Sequence, residues 1–80
     1  MIVVRYFAGA RAAAGVPEDR VDPGCTLDEL TAALVAQRGD RLRPVFAVAS
    51  FLVDGVAWRD RERRLPEAAV VDVLPPFAGG

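Results

Sequence analysis

Thr26-Leu27-Asp28-Glu29 opens a helix, and no other segment of this 80-residue chain narrows the choice of fold as much. In this pattern the Thr26 hydroxyl accepts a hydrogen bond from the backbone of Glu29, whose carboxylate reaches back to the Thr26 amide. An apolar stripe at helical spacing follows: Leu27, Leu30, Ala33 and Leu34. We expect the helix to continue to about Arg38 and to end at Gly39.

Several other segments have the composition or alternation of β-strands. They cover residues 1–7, 18–21, 50–53, 56–58 and 70–74. Asp54-Gly55, between the third and fourth segments, is typical of a two-residue type I′ hairpin turn. Residues 8–14 form a short connection that could be helical and that ends at Gly15. This order predicts one α+β domain, in which a mixed sheet of about four to five strands packs on one main helix.

The first predicted strand has two different faces. Ile2, Val4 and Tyr6 share the side that we expect to face the core. Arg5 marks the other side as solvent-facing, which leaves Phe7 as an exposed aromatic residue near the end of the strand.

The last predicted strand also has two faces. We expect Val71 and Val73 to point inward, and Asp72 to point outward with Val70 and Leu74, because a carboxylate inside the core is costly. If the first and last strands are neighbours, Phe7 and Leu74 share one exposed apolar patch. Such a patch on a small protein usually marks a partner surface.

Composition excludes several classes of partner. Ten arginines nearly balance eleven acidic residues, for a net charge of −1, so nucleic acid is not expected as a partner. No apolar run approaches the roughly 20 residues of a membrane span, and the first residues lack the features of a signal peptide. Cys25 is the only cysteine, which fits a reducing compartment. We therefore expect a cytoplasmic protein that does not bind membranes.

The missing residue types argue against catalysis by this chain alone. The sequence contains no histidine and no lysine, so the commonest general base and the Schiff-base nucleophile are both absent. One thiol without histidine is not a metal site, and we expect no metal. Ser50 has no partners for a catalytic triad.

The chain ends in Pro75-Pro76-Phe77-Ala78-Gly79-Gly80. Proline fixes φ and lacks an N–H donor, so Pro75 and Pro76 should end the last strand and direct the following residues outward. Gly79 and Gly80 have no side chain, so their backbone can enter a channel too narrow for other residues. We interpret the ending as a functional tail with a free carboxylate.

Three segments resemble the MoaD/ThiS family of ubiquitin-like sulfur carriers: 4–8, 26–30 and 74–80. The likeness spans nearly the whole chain, and the ending is its most specific part. Within the family, the chain is most similar to the small, sulfur-carrier subunit of molybdopterin synthase, since carriers for thiamine thiazole are generally shorter and lack the Pro-Pro pair. The resemblance implies a ubiquitin-like β-grasp domain over residues 1–76 and a flexible tail over residues 77–80.

The resemblance also implies a reaction cycle in which Gly80 bears the sulfur. An E1-like enzyme adenylates the Gly80 carboxylate with ATP, and a sulfur donor such as a rhodanese or cysteine desulfurase displaces AMP to leave a thiocarboxylate. The large subunit of molybdopterin synthase then receives the tail, and the sulfur passes to cyclic pyranopterin monophosphate. No cofactor is bound by the carrier itself.

Site residues follow from the same resemblance, position by position. The tail-threading residues are Gly79, Ala78 and Phe77. The partner-binding residues are Phe7, Arg11, Leu74 and Pro75. The loop from Arg59 to Arg64 is more basic than the family leads us to expect; we interpret it as solvated, and docking of an acidic partner there stays open.

Two alternatives use the same activated tail. The chain could carry sulfur for thiazole or cysteine synthesis, or it could be a ubiquitin-like modifier whose Gly80 is joined to lysines of target proteins. A third alternative, from another class, is an interaction domain whose tail has no chemistry.

Overall fold

The computed structural model describes residues 1–76, which contain five strands and three helices. The strands are β1 (Ile2–Tyr6), β2 (Glu18–Val21), β3 (Ser50–Val53), β4 (Val56–Ala57) and β5 (Val70–Leu74). The helices are α1 (Ala8–Ala14), α2 (Leu27–Arg38) and α3 (Leu42–Val48). The predicted α+β class is confirmed.

The five strands form one mixed sheet in the order β2-β1-β5-β3-β4. β1 and β5 lie parallel at its centre, with Arg5 opposite Asp72 and Tyr6 opposite Val73. The other three pairs are antiparallel. The N-terminal strand therefore lies next to the C-terminal strand, and both strands run toward the same end of the sheet.

The core fills the space between one face of the sheet and the helices. It includes Ile2, Val4 and Tyr6 of β1, Val71 and Val73 of β5, and Leu27, Leu30 and Leu34 of α2, all of them buried. These are the residues whose alternation or helical spacing marked them as inward-facing. No helix within residues 1–76 is long and apolar enough to cross a membrane.

The ends of α2 lie where the sequence predicts them. The Glu29 N–H donates to Thr26 Oγ1 at 3.2 Å, and the Thr26 N–H donates to Glu29 Oε1 at 2.9 Å, which completes the capping box. At the other end, the Gly39 N–H bonds the Val35 carbonyl, and Gly39 has a φ of 111°, a conformation that glycine adopts readily.

The predicted hairpin turn is also confirmed. Asp54 and Gly55 have φ values of 50° and 83°, the two positive angles that a type I′ turn requires. The Asp54 carboxylate accepts a hydrogen bond from the Val70 N–H at 2.9 Å, and the Asp54 N–H donates to the Val70 carbonyl at 2.8 Å. The turn is thereby fastened to the start of β5.

One helix was not predicted. The expected sheet packs on the twelve-residue α2, but α1 and the seven-residue α3 complete the helical layer. Pro44 lies in the first turn of α3, where its missing N–H has no helical partner to lose. Leu42 and Phe46, one turn apart, are the buried residues of α3. A pattern this short, containing proline, does not identify a helix by itself.

Asp72 points outward as predicted, but its side chain is buried, which was not expected. Asp72 lies opposite Arg5 on the sheet face away from Val71 and Val73, yet only 7% of its surface is accessible. The Arg5 Nε and Nη2 atoms donate to its two carboxylate oxygens at 2.6 and 2.9 Å. This bidentate ion pair supplies the hydrogen bonds that a carboxylate needs when it is buried.

Candidate functional site

The end of β5 leads directly to the predicted tail. The Phe7 N–H donates to the Val73 carbonyl at 3.2 Å, so the backbone pairing of β1 and β5 continues one residue beyond β1. This places Phe7 beside Leu74 at one end of the sheet, where β1 and β5 finish. Phe7 is 39% exposed, Leu74 is half-buried, and Pro75 is exposed. The condition for a shared patch, that the two strands are neighbours, is therefore met.

Ala8 turns the chain sharply out of β1. Its φ is 50°, in the left-handed region that L-residues rarely adopt, whereas Phe7 before it is extended. α1 therefore begins immediately after the strand. The Arg5 guanidinium carbon lies 5.8 Å from the centre of the Phe7 ring, and its hydrogen bonds to Asp72 raise the pKa of Arg5. The aromatic side chain is thus flanked by a fixed positive charge.

Arg11 lies on the exposed side of α1, close to this aromatic residue. Together with Arg5, Phe7 and Glu18, it lines a groove of about 280 Å³. The structure therefore brings Phe7 and Arg11 into one surface, as their shared predicted role requires. Binding of a partner by these residues stays a prediction.

Leu74 lines two further depressions at the root of the tail. One is an apolar notch of about 140 Å³ between α1 and α3, whose walls include Val48, Pro75 and Pro76. The other, called here the hairpin groove, has a volume of about 440 Å³. Its lining includes Phe51, Leu52, Ala57, Trp58, Arg59, Arg61 and Leu74.

We interpreted the loop from Arg59 to Arg64 as solvated, but in the structure part of it is anchored to the rest of the domain. Arg61 Nη2 donates to the Phe46 carbonyl at 2.9 Å, and Arg61 Nη1 lies 3.7 Å from Asp28 Oδ1. The Arg63 guanidinium carbon lies 5.0 Å from the centre of the Trp58 ring. No sequence signal reveals the contacts of Arg61, because its partners are distant along the chain. Arg59 and Arg64 are exposed, as expected.

A buried polar cluster supports the sheet behind the site. Asp19 on β2 accepts hydrogen bonds from the Tyr6 hydroxyl at 2.9 Å and from Arg38 Nε at 3.0 Å. The Arg38 hydrogen bonds lower the pKa of Asp19, against the opposing effect of burial, and Tyr6 contributes to the same lowering. Burial, followed by the hydrogen bond to Asp19, raises the pKa of Tyr6. The cluster joins β1, β2 and the end of α2, and its groups are fully engaged with one another.

The remaining reactive groups offer no catalytic arrangement within the part of the chain described. Cys25 is half-buried, and burial raises the pKa of its thiol. Residues 1–76 contain no group of three or more side chains suited to hold a metal ion. Phe77, Ala78, Gly79 and Gly80, which carry the predicted chemistry, lie outside the described residues.

Solved structures share this fold along nearly the whole chain. A Pyrococcus furiosus protein provisionally assigned as molybdopterin converting factor subunit 1 is 24% identical, with 95% of this chain and 97% of that one covered and a TM-score of 0.77. Small archaeal modifier protein 1 (SAMP1) from Methanosarcina acetivorans is 21% identical, with 99% and 95% covered and a TM-score of 0.76.

A third similar structure comes from an assembly. It is a chain of the complex of subunits 1 and 2 of molybdopterin-converting factor from Helicobacter pylori, 22% identical, with 99% of this chain and 97% of that one covered and a TM-score of 0.68. Identities this low establish the fold alone, which is the predicted ubiquitin-like β-grasp. Among curated proteins, the sequence has no significant match.

The family is established by sequence. The model of the ThiS family matches residues 4–80, which is almost the entire chain and includes its Gly-Gly ending. Together with the five-stranded mixed sheet, the three helices and the parallel pairing of first and last strands, this match leads to one conclusion: the chain belongs to the ThiS family, within the MoaD/ThiS group of ubiquitin-like proteins.

Proposed function

We propose that this protein is the sulfur carrier of molybdopterin biosynthesis and that its Gly80 carboxylate is the group that is loaded. The observation that carries the proposal is the family match, which runs through residue 80 and includes the glycine pair. The chain is not an enzyme on its own in this proposal. It is the small subunit that delivers sulfur to a catalytic partner.

Activation by another protein follows from the chemistry of a carboxylate. A free α-carboxyl group has a pKa of about 3.5, so at neutral pH it is ionised and a poor electrophile. In the proposed cycle, a Gly80 oxygen attacks the α-phosphorus of ATP on an E1-like enzyme, and pyrophosphate leaves. The terminal sulfur of a persulfide on the sulfur donor, such as a rhodanese or a cysteine desulfurase, then attacks the acyl adenylate, and AMP leaves. A thiol next attacks the donor's sulfur in the resulting acyl disulfide, which leaves a thiocarboxylate on Gly80 and a disulfide on the donor.

The thiocarboxylate must next reach a second active site. We assign that site to the large subunit of molybdopterin synthase, where the sulfur passes to cyclic pyranopterin monophosphate. The Helicobacter pylori complex supports a partner of this kind, since a chain of the same fold occurs there in an assembly of subunits 1 and 2. In this role, Gly79, Ala78 and Phe77 pass through the channel of the partner.

The tail cannot supply the affinity for this partner. Ordering four residues costs on the order of 4–8 kcal/mol of backbone entropy. Burial of the Phe77 side chain returns only about 1.5–3 kcal/mol. Docking must therefore be anchored on the folded domain. Phe7, Arg11, Leu74 and Pro75 are the candidates, because they surround the point where the tail leaves the sheet.

A second candidate function is a ubiquitin-like modifier. The likeness to the archaeal modifier SAMP1 favours it, and its tail would be activated in the same way before joining a target lysine. Sulfur carriers for thiazole or cysteine synthesis remain alternatives within the carrier class. The fate of the activated carboxyl group distinguishes a carrier from a modifier.

Intact-mass spectrometry of the protein purified from its native host tests the proposal. We expect a species in which one oxygen of the C-terminal peptide is replaced by sulfur. A variant that lacks Gly79 and Gly80 is the control and should show no such species. Adducts on other proteins, without the sulfur species, would contradict the carrier and support the modifier. Loss of molybdoenzyme activity on gene deletion then separates the molybdopterin pathway from the others.

A further inference from the structure

The hairpin groove beside Leu74 combines apolar walls with hydrogen-bond donors. Phe51, Leu52 and Trp58 contribute apolar surface to its lining. Within residues 1–76, none of the side chains that line it is acidic, and the charged ones are Arg59 and Arg61. A groove of this kind suits a ligand with a short hydrocarbon stem and an anionic acceptor group.

The Arg61 guanidinium is held in place before any ligand arrives. It donates to the Phe46 carbonyl at 2.9 Å, lies 3.7 Å from the nearest Asp28 oxygen, and is 5.1 Å from the centre of the Phe51 ring. A preorganised guanidinium loses little conformational freedom when it binds a carboxylate.

Arg59 has a charge that the described part of the chain does not neutralise. Within residues 1–76 it forms no ion pair, unlike Arg61, and its side chain is exposed. The nearest acidic residue in sequence, Asp60, instead accepts a hydrogen bond from the backbone N–H of Glu62 at 3.0 Å. Arg59 is therefore available to an external anion.

Trp58 supplies an independent sign of a missing acceptor. Its indole Nε1 is buried and has no hydrogen-bond partner among residues 1–76. Most buried donors in native proteins are paired, so an unpaired one points to an acceptor that comes from elsewhere. The Arg63 guanidinium lies over the same ring, 5.0 Å from its centre.

We infer that the hairpin groove binds an acidic side chain, glutamate or aspartate, of the protein that docks at Leu74. The carboxylate pairs with Arg59 and Arg61, and its methylene stem packs on Phe51 and Leu52. The choice of partner rests on the proposed function, because the groove adjoins the predicted docking residue Leu74. The net charge of −1 makes a general attraction to polyanions a poor alternative.

Affinity for the large synthase subunit, measured by calorimetry, tests this inference. Arg59→Ala should weaken binding roughly tenfold, the usual effect of losing one hydrogen bond to a charged group. Arg59→Lys should weaken it less, because the charge remains. Arg20→Ala, which removes an exposed arginine on β2 at the far edge of the sheet, should leave binding unchanged. Binding by Arg59→Ala with the affinity of the unchanged protein would overturn the inference.

A second measurement does not depend on which partner is correct. Trp58 is the only tryptophan, so its indole N–H gives one identifiable signal in a ¹⁵N-labelled sample. N-acetylglutamate amide should shift this signal, and N-acetylglutamine amide, its neutral isostere, should not. The shift should disappear in Arg59→Ala. Equal responses to the two compounds, or none, would show that the groove has no preference for a carboxylate.

The two proposals fail in different ways. If Leu74→Glu prevents docking but Arg59→Ala does not weaken it, the proposed function stands and the acidic contact is refuted. If the unchanged protein does not bind the large subunit, that partner is refuted. The acidic site is then judged by the glutamate and glutamine compounds alone.

Discussion

At the scale of the residue, backbone strain is concentrated beside the candidate docking surface. Among residues 1–76, positive φ at a non-glycine residue occurs at Ala8 and Asp54. Asp54 belongs to a turn that requires this angle, whereas Ala8 follows Phe7 at the end of β1. A left-handed conformation costs an L-residue roughly 1–2 kcal/mol. Ala8 therefore holds the junction between β1 and α1 at some expense in stability.

Substitution of Ala8 by glycine should stabilise the protein. Relief of the left-handed strain outweighs the greater backbone entropy of glycine in the unfolded chain, for a net gain of about 0.5–1 kcal/mol. In a domain of this size, that gain raises the melting temperature by roughly 2–8 °C. Differential scanning calorimetry measures the change.

Ala12→Gly is the matched control. Ala12 is exposed in the middle of α1, where glycine should destabilise by about 0.5–1 kcal/mol. The same substitution should thus have opposite signs four residues apart. A lower melting temperature in both variants would show that the Ala8 conformation stores no strain.

At the scale of the element, the Asp19 cluster holds three segments together. Tyr6 belongs to β1, Asp19 to β2 and Arg38 to the last turn of α2. Asp19 is 7% exposed, so its charge is tolerated only because both partners donate to it. The end of the main helix is thereby tied to the edge strand.

The lowered pKa of Asp19 predicts a loss of stability in acid. Asp19 has a lower pKa in the folded protein than its ordinary value of 3.8, so the unfolded chain binds its proton first. Its contribution to the free energy of unfolding is complete above pH 3.8 and falls as the pH drops through the lower folded value. Urea unfolding across this range should show the decline.

Asp19→Asn should flatten this acid dependence while lowering stability at neutral pH. Asp40→Asn removes an exposed acid that pairs with Arg43 at the surface, and it should leave the curve nearly unchanged. If Asp19→Asn retained the steepness of the unchanged protein, the acid sensitivity would have to reside in other groups.

At the scale of the whole molecule, the parallel pairing of β1 with β5 brings the candidate docking residues together. It places Phe7 and Leu74 at the end of the sheet where the chain continues into Pro75. α1 and the hairpin groove flank the same point. Under the proposed function, a partner that receives the tail would cover this end of the sheet and would depend for its affinity on contacts with the folded domain.

Leu74→Glu should abolish binding to the large synthase subunit. Leu74 is half-buried and lines both depressions at the tail root, so a charge there opposes burial in an interface. Calorimetry measures the affinity, and circular dichroism confirms that the fold is kept. Val56→Glu, an equally severe change at an exposed valine near the hairpin turn, should bind normally. Unchanged affinity of Leu74→Glu would refute the anchor on the folded domain.

The sequence predicted many residues of the candidate site, but it predicted their positions relative to one another only in part. The alternation of residues in β1 and β5 placed Phe7 and Leu74 on the outward faces of their strands. It did not show that Phe7 and Leu74 are neighbours, because alternation does not encode the order of the strands. The hairpin groove was not predicted, because Trp58, Arg61 and Leu74 meet only after the sheet has formed. The roles of the four tail residues stay predictions.

The sequence by itself determined the features that depend on neighbours within a few residues. The capping box at Thr26, the end of α2 at Gly39 and the type I′ turn at Asp54 are satisfied by local hydrogen bonds and by φ preferences. Only the tertiary structure decided the burial of Asp72, the anchoring of Arg61 and the formation of α3. Asp72 and Arg61 bind partners that are distant in sequence, and α3 depends on the core that covers its apolar side. These interactions can form only once the chain has folded.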